Sequence, residues 1–361
     1  MTAWSASKNP RAVHPKPPMS VEETALMKAR ERVLKATPLA MFYYSDDSLG
    51  LAALEAHSEA MTVLAPQCYA LNRGGALRGR PPMRVVSMAE SAGLPLMPLV
   101  TNSGFNRPAA HRLLHSLQAQ QRAINSLADV ANREHYVGWQ LDFEDLDPAD
   151  KVAYSRFVVR LGARLHRDRR LLSVAVVPRF SDAFPNSSLP GFHTGQWGAA
   201  YDYRSLGRTA DFLVLMAYDQ HTPLTPPGPV AGYNWVKAAL DYAVQRVLPY
   251  KLVLGVPFYG REWAETASGT TSHSLAYKDL EALLQDPSSE RHWDDVSHTS
   301  WFEWREGETV RTAWFDDARS LREKMKLARL YHLRGYAAWR LGVEDPDFWQ
   351  PEAPEPLVTE P

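Results

Sequence analysis

The chain is poor in the means of cross-linking itself: its one cysteine, Cys68, excludes an intrachain disulfide. The neighbouring run Met61-Thr62-Val63-Leu64-Ala65 has the pattern of a strand, which makes this thiol a buried structural group rather than a nucleophile. Apolar runs long enough to cross a bilayer are also lacking. Met1 to Pro18 is polar and proline-containing, without the apolar stretch of a secretory signal; either the protein stays inside, or a signal was removed or lies outside this chain. Charge of one sign is not in excess. The 40 Lys and Arg against 41 Asp and Glu leave a formal net charge of -1, so nothing global argues for nucleic acid or an anionic membrane as partner. A Gly-x-Ser-x-Gly elbow, a His-Glu-x-x-His helix, a Cys-x-x-Cys pair and a dinucleotide fingerprint after the first strand are all missing. The Gly/Arg-rich stretch Asn72–Gly79 lacks the lysine and helix start of a phosphate loop and is expected to be a turn. The expectation is therefore no metal and no organic cofactor. Oligomeric state leaves no trace.

What is present is a large apolar supply. Of 361 residues 45% are hydrophobic, enough for a sizeable core in one or two domains. Eleven Trp, 15 Tyr and 12 Phe serve core packing first, although sugar-binding clefts also use aromatic faces. Short apolar runs alternate with helix-spaced segments. Strands are expected near Leu39–Tyr44, Met61–Ala65, Leu94–Val100, Val137–Glu144, Leu171–Val177, Phe212–Tyr218, Leu252–Pro257 and Gly335–Arg340. Phe157, Leu161 and Leu165 lie on one helical stripe, as do Leu321, Met325 and Ala328. Eight strands alternating with helices predict an α/β fold, a (β/α)8 TIM barrel over residues 38–350. Residues 1–37 are expected to be a flexible segment with one helix, Val21 to Lys35, and 351–361 a disordered Pro/Glu tail. Between the seventh strand and the eighth helix, roughly Arg261 to Trp314 is expected to form a small α+β insertion that walls one side of a cleft.

The most informative stretch is Gly138-Trp139-Gln140-Leu141-Asp142-Phe143-Glu144. Apolar and polar residues alternate, so on a strand Gln140, Asp142 and Glu144 share one face. A strand whose other face is buried does not normally carry two acids opposite it unless they pair or do chemistry. The carboxyl ends of barrel strands are where such folds keep their active sites. Met216-Ala217-Tyr218-Asp219, Gly255 to Arg261 and Ala337-Ala338-Trp339-Arg340 would end at the same rim. Acids, a tyrosine and a tryptophan floor gathered there suit glycosidic bond cleavage.

These residues carry a resemblance to glycoside hydrolase family 18, the chitinase-like barrels. The family's pattern Asp-Gly-x-Asp-x-Asp-x-Glu is matched by Val137 to Glu144, with its glycine, last aspartate and glutamate retained. The likeness is closest to the bacterial branch of spore-cortex-lytic N-acetylglucosaminidases. It is carried by Pro66-Gln67-Cys68-Tyr69, Thr101-Asn102-Ser103-Gly104-Phe105, Met216 to His221, Gly228-Pro229-Val230-Ala231 with Trp235-Val236, Leu254 to Trp263, and Trp339 to Trp349. The resemblance implies a retaining, substrate-assisted hydrolase of β-linked N-acetylhexosamine glycans, with peptidoglycan favoured over chitin and an extracellular or periplasmic setting. Glu144 would be the acid and then the base, Asp142 would orient the substrate's acetamido nitrogen, and Tyr218 would bond its oxygen. Trp339 would floor the distorted sugar. Gln140, Asp219, Tyr259, Gln67, Asn102 and Tyr43 complete the candidate substrate-binding set. Val137 and Gln140 depart from the pattern and shorten the relay of carboxylates below Asp142.

Each candidate has a rival assignment. Asp142 and Glu144 would form a buried pair linked to an arginine. Tyr218 and Asp219 would form a strand-ending hydrogen-bond corner, and Trp339 a barrel plug. Gln67, Asn102 and Tyr259 would tie loops, and His221 would bond locally. The rival for the whole chain is a chitinase-like lectin that binds amino-sugar glycans without turnover.

Overall fold

The computed structural model describes residues 19–182, 196–267, 269–285 and 290–351. The expected flexible lead Met1 to Pro18 and the tail after Pro351 lie outside them. Along the chain the strands are β1 (Leu39–Tyr44), β2 (Val63–Leu71), β3 (Leu77–Gly79), β4 (Leu99–Asn102), β5 (Gly138–Asp142), β6 (Leu171–Val176), β7 (Phe212–Leu215), β8 (Leu252–Pro257), β9 (Gly260–Thr266), β10 (Gly269–Leu275), β11 (His292–Asp294), β12 (Thr299–Glu306), β13 (Thr309–Phe315) and β14 (Gly335–Trp339). The helices are α1 (Val21–Lys35), α2 (Ser48–His57), α3 (Met83–Ser91), α4 (Arg107–His115), α5 (Leu117–Arg133), α6 (Lys151–Arg167), α7 (Tyr203–Thr209), α8 (Tyr233–Val244), α9 (Tyr277–Leu284) and α10 (Ala318–Leu330).

Parallel pairing runs β1-β2-β4-β5-β6-β7-β8-β14 and returns to β1, so eight strands close into a (β/α)8 barrel. Closure leaves no parallel edge unpaired. Alternation divides the side chains between two cores. Leu39, Met41, Val63, Ala65, Leu99, Val214, Val253 and Ala337 fill the interior. Phe42, Leu64, Trp139, Leu141, Val174, Leu213 and Leu254 face outward under the helices. The helical stripes meet that outer layer: Phe157, Leu161 and Leu165 of α6 are fully buried, as is Leu321 of α10. Helix α1 starts with a capping box between Ser20 and Glu23 and ends by burying Val33 in the interior cluster, at the strands' amino ends. Arg32 fastens it by donating to the carbonyls of Gly93 and Met61, both at 2.8 Å.

Strands β5 and β7 stop short of expectation, at Asp142 and Leu215, and three further segments depart from it for a local reason. The run Leu94–Val100 forms a regular strand only from Leu99, with a lone bridge Leu64 to Leu96 before it, because Pro95 and Pro98 remove ladder donors. Strand β2 extends well past Ala65 to Leu71 and shifts register between Gln67 and Tyr69. That bulge turns Tyr69 into the outer core while Gln67 faces the barrel mouth. The turn expected at Asn72–Gly79 is tighter: the Asn72 side chain accepts from Gly74 and Ala76, and Leu77–Gly79 pairs antiparallel with β2.

Between β8 and α10 the chain forms a five-stranded antiparallel sheet, ordered β10-β9-β13-β12-β11, with α9 beside it. Its own small core holds Leu275, Leu280, Phe302, Ala313 and Phe315. Trp263 of β9 is fully buried and donates its indole N–H to the Thr225 carbonyl at 3.1 Å, joining the sheet to the loop after β7.

Candidate active site

The carboxyl ends of the barrel strands surround a cavity of about 280 Å³, lined by Tyr43, Gln67, Leu99, Phe105, Asp142, Glu144, Ala175, Met216, Tyr218, Asp219 and Trp339. Strand β5 delivers Asp142 at its last residue, with the preceding Trp139 and Leu141 packed outward. Glu144 follows, and its main chain is fixed by one side chain. The Asn102 amide accepts from the Glu144 N–H and donates to the Glu144 carbonyl, both at 2.9 Å. The buried Tyr201 hydroxyl donates to the Phe143 carbonyl at 2.6 Å and steadies the same turn. Tyr218 enters from beyond β7. A Cβ on Gly255 would lie 2.6 Å from the Leu215 carbonyl oxygen and 3.1 Å from the Tyr218 ring, so glycine on β8 makes room for that tyrosine. Phe105, Asp145 and Asp219 hold positive φ of 48°, 49° and 56° at the rim, where loops turn sharply off the barrel.

The electrostatics separate the three acids of the wall. Asp219 is ion-paired: it accepts from the Tyr259 hydroxyl at 2.6 Å and pairs with Arg261 at 3.0 Å. Asp142 and Glu144 have no such help. Burial pushes both carboxyls well above the carboxylate range, and the charges of Asp142, Asp219 and Asp145 raise Glu144 further. Among the described residues no lysine, arginine or histidine lines the cavity. The rival assignment required an arginine on the pair. Among the described residues the nearby arginines serve neighbours instead, Arg107 on Asp145 and Arg261 on Asp219. One oxygen of Asp142, Oδ1, is buried without a partner, as expected for an acid awaiting a ligand or holding a proton.

The candidates fall into two tiers. Tyr43, Gln67, Asp142, Glu144, Tyr218, Asp219 and Trp339 converge on the cavity. Gln140, Asn102 and Tyr259 do not line it. Gln140 is fully buried below, donating to the Tyr43 hydroxyl at 3.2 Å with its own Oε1 unpartnered. Asn102 acts on the Glu144 main chain, and Tyr259 on Asp219. Tyr259 instead borders an adjoining hollow of about 570 Å³, which shares Asp219 and Trp339 with the first and is walled by Arg261, Leu275 and Lys278 of the inserted segment. Tyr43 and Trp339 rings sit 5.2 Å apart, forming an aromatic floor. His221 bonds locally, to the Pro226 carbonyl at 3.0 Å. Cys68 is half-buried with its thiol pushed up to about 12 by burial, which leaves it inert. The sequence had not singled out Arg261 or Tyr201. Arg261 sat in a motif already quoted, but the pairing with Asp219 requires the tertiary fold.

A closed parallel barrel with two buried carboxyls side by side at its mouth has the architecture of a glycosidase. The chain belongs to the glycosyl hydrolases family 18, whose model matches residues 84–344. It is 30% identical to a chitinase from Chromobacterium violaceum ATCC 12472, with a TM-score of 0.79 over 87% of this chain and 97% of that one. The cortical fragment-lytic enzyme of Bacillus subtilis is 29% identical over 84% of this chain and 69% of the relative. The spore cortex-lytic enzyme SleL of Bacillus megaterium shares the fold, at 24% identity and a TM-score of 0.78, over 87% of this chain and 73% of that one.

Proposed function

We propose that this glycosidase cleaves β-linked N-acetylhexosamine glycans with retention of configuration, by substrate-assisted catalysis, and that peptidoglycan is its favoured substrate. One observation carries the reading: Glu144 stands beside Asp142 on the wall of the cavity at the barrel's mouth, where burial and neighbouring carboxylates push its carboxyl up. A protonated carboxyl at neutral pH is what a general acid needs.

In this reading Glu144 gives its proton to the glycosidic oxygen as the C1–O bond breaks. The carbonyl oxygen of the sugar's own 2-acetamido group forms the new bond to C1. Asp142, beneath, accepts the acetamido N–H and balances the positive charge that develops there. The Tyr218 hydroxyl donates to the acetamido oxygen and orients it. Glu144, now a carboxylate, then takes a proton from water as the water oxygen displaces the acetamido oxygen at C1, and two inversions sum to retention. The pairing of Asp219 supports this choice of nucleophile, because the third acid of the wall is already engaged by Arg261 and Tyr259. The Tyr43–Trp339 floor suits a sugar face. The cortical fragment-lytic relative supports peptidoglycan, and the chitinase relative makes chitin-type oligomers the competing substrate.

The test is mass spectrometry of products from purified peptidoglycan and from N-acetylglucosamine oligomers, with Glu144→Gln as control. Reducing ends released by the parent and lost in the variant are expected, with peptidoglycan the better substrate. Equal signal from both proteins would leave a glycan-binding lectin instead.

A further inference from the structure

Away from the cavity, α4 presents His111 and His115 one turn apart, over the carboxylate of Asp150 at the start of α6. His111 Nδ1 lies 2.9 and 3.0 Å from the two Asp150 oxygens, and His115 Nε2 lies 2.8 Å from Oδ1. All three potential ligand atoms fall within 4.8 Å of one another. The imidazole rings lie 4.4 Å apart. The Asp150 side chain is only 1% exposed, while those of the histidines are 54% and 51% exposed. A rigid buried carboxylate is thus covered by two rings that an ion can reach from solvent.

We propose that His111, His115 and Asp150 bind a borderline divalent transition metal, Zn²⁺ foremost, with water completing the coordination. Two imidazole nitrogens and one carboxylate oxygen are the donor set such ions take, and three protein ligands leave a fourth position open. At metal–ligand distances of about 2.0–2.2 Å, tetrahedral ligands stand roughly 3.3 Å apart. The histidine–Asp150 contacts, at 2.8–3.0 Å, need open by only a few tenths of an ångström, and the two ring nitrogens, within 4.8 Å of each other, belong to exposed side chains that can turn to meet an ion. The buried carboxylate also has reason to recruit a cation. Among the described residues no lysine or arginine pairs with it, and a buried anion held only by two imidazoles is poorly compensated. The expectation of a metal-free chain rested on missing motifs, and this site is not one of them, since its third ligand comes from another helix.

The metal's consequence is a second clasp on the turn that carries Glu144. Arg107, the first residue of α4, already pairs with Asp145 at 2.5 Å. The ion would tie the last turn of the same helix to Asp150, so that α4 holds both ends of the segment from Asp145 to Asp150. This inference stands on its own residues and does not depend on which glycan is cut.

The experiment uses the untagged full chain, stripped with chelator and titrated with ZnCl2. Expected are about one equivalent of tightly held Zn²⁺ by elemental analysis and a Tm raised by about 3–5 °C at 100-fold excess over Kd. Co²⁺ in place of Zn²⁺ should give the visible absorption of a low-coordinate N,O site. His111→Ala with His115→Ala should lose the Tm rise and the Co²⁺ band and weaken Zn²⁺ at least tenfold, with an unchanged circular dichroism spectrum. His115→Gln, a milder change, should weaken Zn²⁺ in the same direction. Equal uptake and equal Tm rise in parent and double variant, or no retained metal in the parent, would overturn the assignment.

Discussion

Replacing Glu144 by glutamine should stabilise the folded chain, and the gain should grow as pH rises. Glu144 holds its proton above the ordinary 4.5, first because it is buried and then because Asp142, Asp219 and Asp145 lie near. The folded state therefore keeps a proton that the unfolded state sheds. For a carboxyl raised in this way, stability is greatest below the unfolded value and is lost as pH climbs towards the folded one. Glutamine keeps the neutral shape and has no proton to lose. Each pH unit above the ordinary value costs the parent about 1.4 kcal/mol, so the penalty reaches about 3 kcal/mol near pH 7. Asp142 is present in both proteins and largely cancels. At roughly 1.3 °C per kcal/mol for a chain of this size, the variant should melt about 4 °C above the parent at pH 7. The two should nearly coincide at pH 4. Calorimetric melts across that range read the difference, and hydrolysis should fall by at least 10²-fold in the same variant. A gap in Tm that is the same at pH 4 and pH 7, or a less stable variant at pH 7, would refute a proton held by burial.

Other expectations test the supports of the site. Asn102→Ala removes both bonds to the Glu144 main chain, so kcat should fall tenfold or more while KM changes little. A variant in which KM rises and kcat holds would assign Asn102 to substrate contact instead. Gln140→Asp restores an acid beneath Asp142 and should raise that carboxyl further, moving the acidic limb of the pH–rate profile upward. A profile that overlays the parent would remove Gln140 from the electrostatics of the site.

Much of this molecule was legible in its sequence because period-two alternation needs only local residues. Strands β1 and β8 fall where the pattern put them, and the outward packing of Trp139, Leu141 and Phe143 left Asp142 nowhere to point but inward. What was illegible depends on partners distant in the chain. Gln140 shared the face of Asp142 in sequence, yet one strand step lower it meets Tyr43 and not the cavity. Asn102 belonged to a recognisable motif, but its work on the Glu144 main chain exists only once β4 lies beside β5. The bulge after Gln67 has no local signature beyond Pro66, and the pairing of α4 histidines with Asp150 reaches across α5 and β5.

Arg261 is the second residue of β9 and also the cation that engages Asp219. The inserted sheet is consequently not a detachable appendage. An engineer who swapped Gly260–Phe315 for the equivalent of another barrel, in search of a different glycan preference, would at the same stroke release a carboxylate into the reaction chamber. Altered specificity and altered acidity would arrive together, and only a graft that begins after this arginine could separate the two.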